Sequence, residues 1–157
     1  MPRSSRAPNA GNRGTRSLIT LTTAILALLS LQFLFGMLTN LFVAIPKEHP
    51  GAQAPHYFAG VIRGVGWTLA SSRLLLAAHV ATGMVLELLA IALVVVAARS
   101  RQRLWIWVAL VGWLGVTGAG FNGASFINYG HDFSSMIMAA CFLLAAIAYD
   151  LALHLGR

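Results

Sequence analysis

Four long apolar stretches limit the folds that this sequence can adopt more than any other feature. They cover about residues 17–45, 73–98, 104–126 and 131–154 of the 157. A helix needs about 20 mainly apolar residues to cross the hydrocarbon core of a bilayer, and each stretch reaches that length. Charged residues make up only 10% of the chain, against about 25% in an average soluble domain. Lipid must therefore surround much of the molecule, and the sequence predicts an all-α membrane protein.

The links between the stretches predict how the helices pack. Short turns join the second, third and fourth stretches, so these helices should be antiparallel neighbours in an up-down bundle of four transmembrane helices. The first link, residues 46–72, is longer and begins with the proline-rich sequence PKEHPGAQAP. Beyond it, Phe58, Ile62, Val65 and Leu69 fall at helical spacing. We expect an external loop followed by a short amphipathic helix on the outer membrane surface, with a re-entrant segment as the alternative.

Positive charges predict the orientation of the chain. Eight arginines lie before the first stretch, between the second and third, or at the chain end, whereas only Lys47, Arg63 and Arg73 fall on the other side. Such a bias is typical of cytoplasmic segments. It predicts a multi-pass protein of the cell membrane with both termini in the cytoplasm.

The first 16 residues differ in composition from the rest. They are rich in Pro, Gly, Ser and Arg, which predicts a disordered cytoplasmic tail before a four-helix transmembrane domain at residues 17–157. The arginines have no interleaved aromatic residues of the kind that bind single-stranded nucleic acid. The expected partner is the lipid bilayer and not nucleic acid, with other membrane subunits or a second copy of the chain left open.

Polar residues recur inside the apolar stretches. Counting 1.5 Å per residue places Glu87 close to the bilayer centre, where a carboxyl costs about 2.5–3.5 kcal/mol on insertion scales. Such a residue is either a functional group or a packing contact, hydrogen-bonded to Gln32 or Thr117 at similar depth, and the sequence leaves both open. The other polar residues lie further from the arginines, which predicts an interior that opens outward. The predicted polar core comprises Gln32, Asn40, Glu87, Thr117, Asn122 and Asn128.

One turn of the second helix suggests a cofactor. The sequence AHVATG places Gly83 four residues after His79. This turn resembles the His-x3-Gly arrangement of b-type cytochrome helices, in which the glycine leaves room for the porphyrin beside the ligating histidine. The resemblance implies haem b, with His131 at the start of the fourth helix as the second axial ligand across the bundle diagonal. Arg73, near the surface, would pair with a propionate.

The remaining chemistry-bearing residues suggest no further site. The single cysteine, Cys141, excludes disulfides and cysteine-zinc sites within the chain. His49 and His56 in the external loop follow no defined metal spacing, so no site for a metal ion is predicted. No catalytic triad, phosphate-binding glycine loop or paired-carboxylate motif is present, and the sequence leaves open whether the protein is an enzyme.

Three short runs give the chain a wider resemblance. They are NLF before IP at residues 40–46, HPG at 49–51 and GFNGASF at 120–126. With them the chain resembles small bacterial four-helix membrane proteins of unassigned function, a likeness that implies a fold but no activity. Three functions stay open: a b-type haem redox or electron-transfer subunit, a small transport or proton-handling protein with an outward-open polar cavity, and a non-catalytic accessory or scaffold subunit.

Overall fold

The computed structural model describes residues 10–70 and 73–156, and this part of the chain is helical with no strands. Four of its helices are long and apolar enough to cross a membrane. This confirms the four predicted apolar helices, and a short helix lies between the first two as expected. In chain order the helices are α1 (Ala10–Phe42), α2 (Tyr57–Ala70), α3 (Leu74–Ser100), α4 (Arg103–Tyr129) and α5 (Asp132–Leu155).

Helix α1 has different ends from those predicted. It begins at Ala10, so residues 10–16 continue the helix instead of belonging to a disordered tail, and residues 1–9 lie outside the described part. An established helix adds residues at little cost, and residues 10–16 contain no proline that would interrupt it. At the other end α1 stops at Phe42, before the predicted 45. Pro46 has no N–H to bond the carbonyl of Phe42 and disfavours a helical conformation in the residue before it.

The four long helices pack side by side as antiparallel neighbours. The order around the bundle is α1, α3, α4 and α5, and α5 also contacts α1. One end of the bundle carries the turn between α3 and α4 and is called here the arginine end, after Arg99, Arg101 and Arg103. The opposite end carries residues 43–72 and the turn between α4 and α5, and is called the loop end.

Small residues bring α4 and α5 close together. A Cβ atom built on Gly112 would overlap the ring of Tyr149, and one on Gly115 would lie 2.7 Å from the carbonyl oxygen of Cys141. Gly118 faces the Cys141 sulfur in the same way. Small side chains at such spacing let helix backbones approach closely where lipid gives no hydrophobic drive for association. Gly112, Gly115 and Gly118 are therefore used for packing within the chain.

Residues 43–56 and helix α2 cover the loop end of α4. His49 Nε2 lies 3.1 Å from the carbonyl oxygen of Ile127, and the Gln53 N–H donates to the Asn128 carbonyl at 3.1 Å. The last four carbonyls of a helix have no partner within it, so these contacts cap α4. Gly60, Gly64 and Thr68 form the buried face of α2. Its apolar residues Phe58, Ile62 and Leu69 are exposed, and the edge of one ring of the Phe58–Phe121 pair meets the face of the other against α4.

Candidate functional site in the helix bundle

Glu87 accepts hydrogen bonds from two side chains of the neighbouring helix. It lies half-buried on α3, where the Trp113 indole N–H donates to Oε1 at 2.8 Å. The Thr117 hydroxyl lies 2.9 Å from Oε1 and 3.1 Å from Oε2. Trp113 and Thr117 are four residues apart, so both project from the same face of α4. Thr117 is one of the two partners expected for Glu87, whereas Trp113 was not anticipated.

Gln32 has a different partner from the one expected. Its side-chain oxygen accepts a hydrogen bond from Thr82, and its amide nitrogen would lie 3.2 Å from a Cβ built on Gly83. Thr82 precedes Glu87 by five residues, a rise of about 7.5 Å toward the loop end. The register of α1 against α3 thus places Gln32 more than one turn away from the carboxyl. Gln32 and Glu87 belong to two separate polar contacts of the bundle.

His79 packs against α1. A Cβ built on Gly36 would lie 3.2 Å from Cε1 of the imidazole, so the glycine makes room for the ring. The ring Nδ1 is buried and makes no hydrogen bond of standard geometry within the described residues, although the backbone carbonyl of Gln32 lies close to it. One turn further along, the Thr39 hydroxyl donates to the carbonyl of Leu75 at 3.3 Å.

The residues expected to hold haem do not share one environment in the bundle. His131 is exposed and stacks on Tyr129, with the ring centroids 6.2 Å apart. Arg73 is exposed just before α3, and the side of Gly83 that would receive a porphyrin faces Gln32. In this arrangement these residues do not fit a haem. Haem b stays a prediction, and the absorbance spectrum of protein produced with ample haem tests it.

The three asparagines of the predicted polar core differ in their placement. Asn40 is exposed instead of interior, because α1 turns the adjacent Thr39 toward α3 and successive helical residues are about 100° apart. The Asn122 amide donates to the Gly118 carbonyl of its own helix at 2.8 Å. Asn128 is 3% exposed and lies beneath Gly64 of α2, where a Cβ would overlap its side-chain amide.

A fully buried tyrosine of α5 lies beside the Glu87 contact. Tyr149 is 0% exposed, and its hydroxyl lies 2.8 Å from the Cβ position of Gly112, the residue before Trp113. Glu87 is close enough to interact with it electrostatically. The sequence gives little signal for this role, since a tyrosine near the end of an apolar stretch is typical of the interfacial aromatic belt.

Comparisons of the chain with protein-family models, with curated proteins and with solved structures gave no match. Among the described residues, no group of three or more His, Cys, Asp or Glu side chains is placed to hold a metal ion. The arrangement around Glu87 is therefore the strongest basis for a functional proposal. It joins an ionisable group of α3 to donors of α4 and lies next to a buried hydroxyl of α5.

Proposed function

We propose that this chain is a multi-pass membrane protein that exchanges protons at Glu87. The carrying observation is that Glu87 is hydrogen-bonded by Trp113 and Thr117 at the middle of a long apolar helix. Ionisable residues within membrane-spanning helices are costly and usually mark ion pathways or proton relays. The four apolar helices support the membrane assignment, and the positive-inside rule puts the arginine end in the cytoplasm.

The hydrogen bonds around Glu87 suit both states of its carboxyl. An indole N–H can only donate, so the Trp113 contact keeps Oε1 as an acceptor whether or not the group carries a proton. A threonine hydroxyl can donate or accept. Thr117 can donate to the carboxylate and can accept from a carboxylic acid protonated at Oε2, 3.1 Å away. When the Glu87 carboxyl gains or loses a proton, only the Thr117 hydroxyl has to rotate, and the contact between the helices is kept.

The position of α2 suits a membrane surface at the loop end. Its exposed apolar residues, Phe58, Ile62 and Leu69, lie opposite the buried Gly60 and Gly64. A helix with one apolar face and few charges binds at the boundary between headgroups and acyl chains. In this proposal α2 rests on the outer surface of the membrane with these residues in the lipid, and it shields the loop end of α4.

Glu87→Gln tests the proposal, because the amide keeps the size of the carboxylic acid and cannot ionise. We expect liposomes containing the wild-type protein and a pH-sensitive dye to equilibrate an imposed pH gradient. Glu87→Gln should lose this flux while unfolding at nearly the same temperature. Thr117→Ser, which keeps the hydroxyl, should retain more flux than Thr117→Val.

Glu48→Gln serves as the matched control, since it makes the same change at an exposed loop residue. It should leave the flux at the wild-type rate. Full flux in Glu87→Gln would contradict proton exchange at this carboxyl. Wild-type protein that conducts no protons, combined with a loss of stability in Glu87→Leu, would instead favour the accessory or scaffold function, in which the polar contact only fixes helix register.

A further inference from the structure

Three polar atoms in the half of the bundle nearer the arginine end have no hydrogen-bond partner among the described residues. They are the Tyr149 hydroxyl, the Thr22 hydroxyl and the Trp105 indole nitrogen. Their residues are 0%, 0% and 1% exposed and come from α5, α1 and α4. Buried polar groups in proteins are nearly always bonded to protein or to ordered water. Lipid supplies no partner at all, so water is the remaining candidate partner for these three atoms.

These atoms extend from the Glu87 contact to the arginine end. Tyr149 lies against Gly112, next to the residue that binds Glu87. Trp105 packs against Gly156 at the arginine end itself. Thr22 lies in the half of α1 that is nearer this end. Each therefore lies between the carboxyl and the side that the arginines assign to the cytoplasm.

We infer that these side chains hold water molecules that connect Glu87 with the arginine end, and that the Tyr149 hydroxyl passes protons along this route. The inference rests on the proposed proton exchange at Glu87. The Tyr149 hydroxyl gives its proton to a water molecule bonded to the carboxylate, and that water gives one of its own protons to Glu87. The phenol oxygen takes a proton from water on its other side, and that water is reprotonated from the aqueous phase at the arginine end. The phenol therefore ends neutral, and each broken O–H bond is replaced.

The other two residues have different roles along the route. The Thr22 hydroxyl can both accept and donate, so it can relay a proton in the same way as Tyr149. The Trp105 N–H only donates, so it holds a water oxygen in place and takes no part in the relay. The route also makes the interior near the arginine end more polar than the sequence predicts, because the sequence assigns the polar interior to the opposite half.

Tyr149→Phe removes the hydroxyl and keeps the ring that packs against Gly112. In the liposome assay we expect its proton flux to fall on the order of 100-fold, as for loss of a positioned proton donor. Thr22→Val should also slow the flux. Thr23→Val is the matched control, because the adjacent Thr23 is exposed and its hydroxyl bonds to the Ile19 carbonyl of its own helix. It should conduct at the wild-type rate.

Water contact provides a readout that does not depend on flux. In nanodiscs, magnetisation transferred from water in NMR spectra should reach the Thr22 methyl group and the Tyr149 ring, but not the similarly buried Leu76 near the loop end of α3. No transfer to Thr22 and Tyr149 would overturn the inference. Magnetisation transfer to these residues together with unchanged proton flux in Tyr149→Phe would overturn the relay through Tyr149. If Glu87→Gln still abolished the flux in that case, the proposed function would stand. Full flux in Glu87→Gln would overturn both.

Discussion

At Gly112 the absence of a side chain determines where the Tyr149 hydroxyl lies. A Cβ at this position would overlap the tyrosine ring and lie 2.8 Å from its hydroxyl. Because Gly112 precedes Trp113, the same turn of α4 holds the donor to Glu87 and admits the tyrosine of α5. A side chain at residue 112 would displace the tyrosine ring and its hydroxyl. The place of the Tyr149 ring against α4 thus depends on one glycine.

Gly112→Ala should destabilise the protein because the added methyl group meets a ring that is fully buried. Overpacking of an interior lowers the free energy of unfolding by about 1–3 kcal/mol. The higher helix propensity of alanine over glycine offsets about 1 kcal/mol of that loss. Gly120→Ala is the control on the same helix, since a Cβ there meets no atom within 4 Å. Equal stability of the two variants in denaturant titrations would contradict the close α4–α5 contact.

The element that differs most from an ordinary amphipathic helix is α2. Its small residues Gly60, Gly64 and Thr68 face the protein, whereas Ile62 and Leu69 are exposed. A soluble helix packed on a protein has the opposite arrangement, with the apolar face against the core. The small face lets α2 lie close to the end of α4. Amphipathic spacing alone predicts the helix but not which face contacts the protein.

Gly64→Ala should release α2 from the bundle, because the new methyl group would overlap the buried side chain of Asn128. We expect faster trypsin cleavage after Arg63 in protein reconstituted in nanodiscs. Gly66→Ala, on the exposed side of the same helix with no atom within 4 Å of the added carbon, should be cleaved at the wild-type rate. Equal cleavage of both variants would show that α2 is not held by this contact.

Across the whole molecule, hydropathy is sufficient to predict the long helices, because only a long apolar helix satisfies its backbone hydrogen bonds in lipid. Contacts between helices depend on rotation and register, which hydropathy does not encode. Depth therefore predicts Thr117 as a partner of Glu87, while Gln32 at similar depth binds Thr82 instead. The sequence does not predict the roles of Trp113 and Tyr149, because aromatic residues in apolar stretches are normally packing or interfacial groups.

The orientation of the whole molecule in the membrane can be tested by cysteine labelling. The native Cys141 is first replaced by alanine, so that only the introduced cysteine can react. In intact cells, Gln53→Cys in the external loop should react with a membrane-impermeant maleimide. Leu155→Cys, which is exposed near the end of α5 at the arginine end, should react only after the membrane is opened. The reason is the excess of arginines at that end, which is retained in the cytoplasm during insertion. The reverse labelling pattern would invert the orientation.

The cap on α4 imposes an order on biosynthesis. His49 and the carbonyl that it approaches, Ile127, are 78 positions apart. At translation rates of about 5–20 residues per second, His49 is made about 4–16 s before its partner. During that interval α2 has no helix end to cover. Insertion of α4 is then the step that gathers the loop and α2 into place, and a chain arrested before α4 would expose both to proteases.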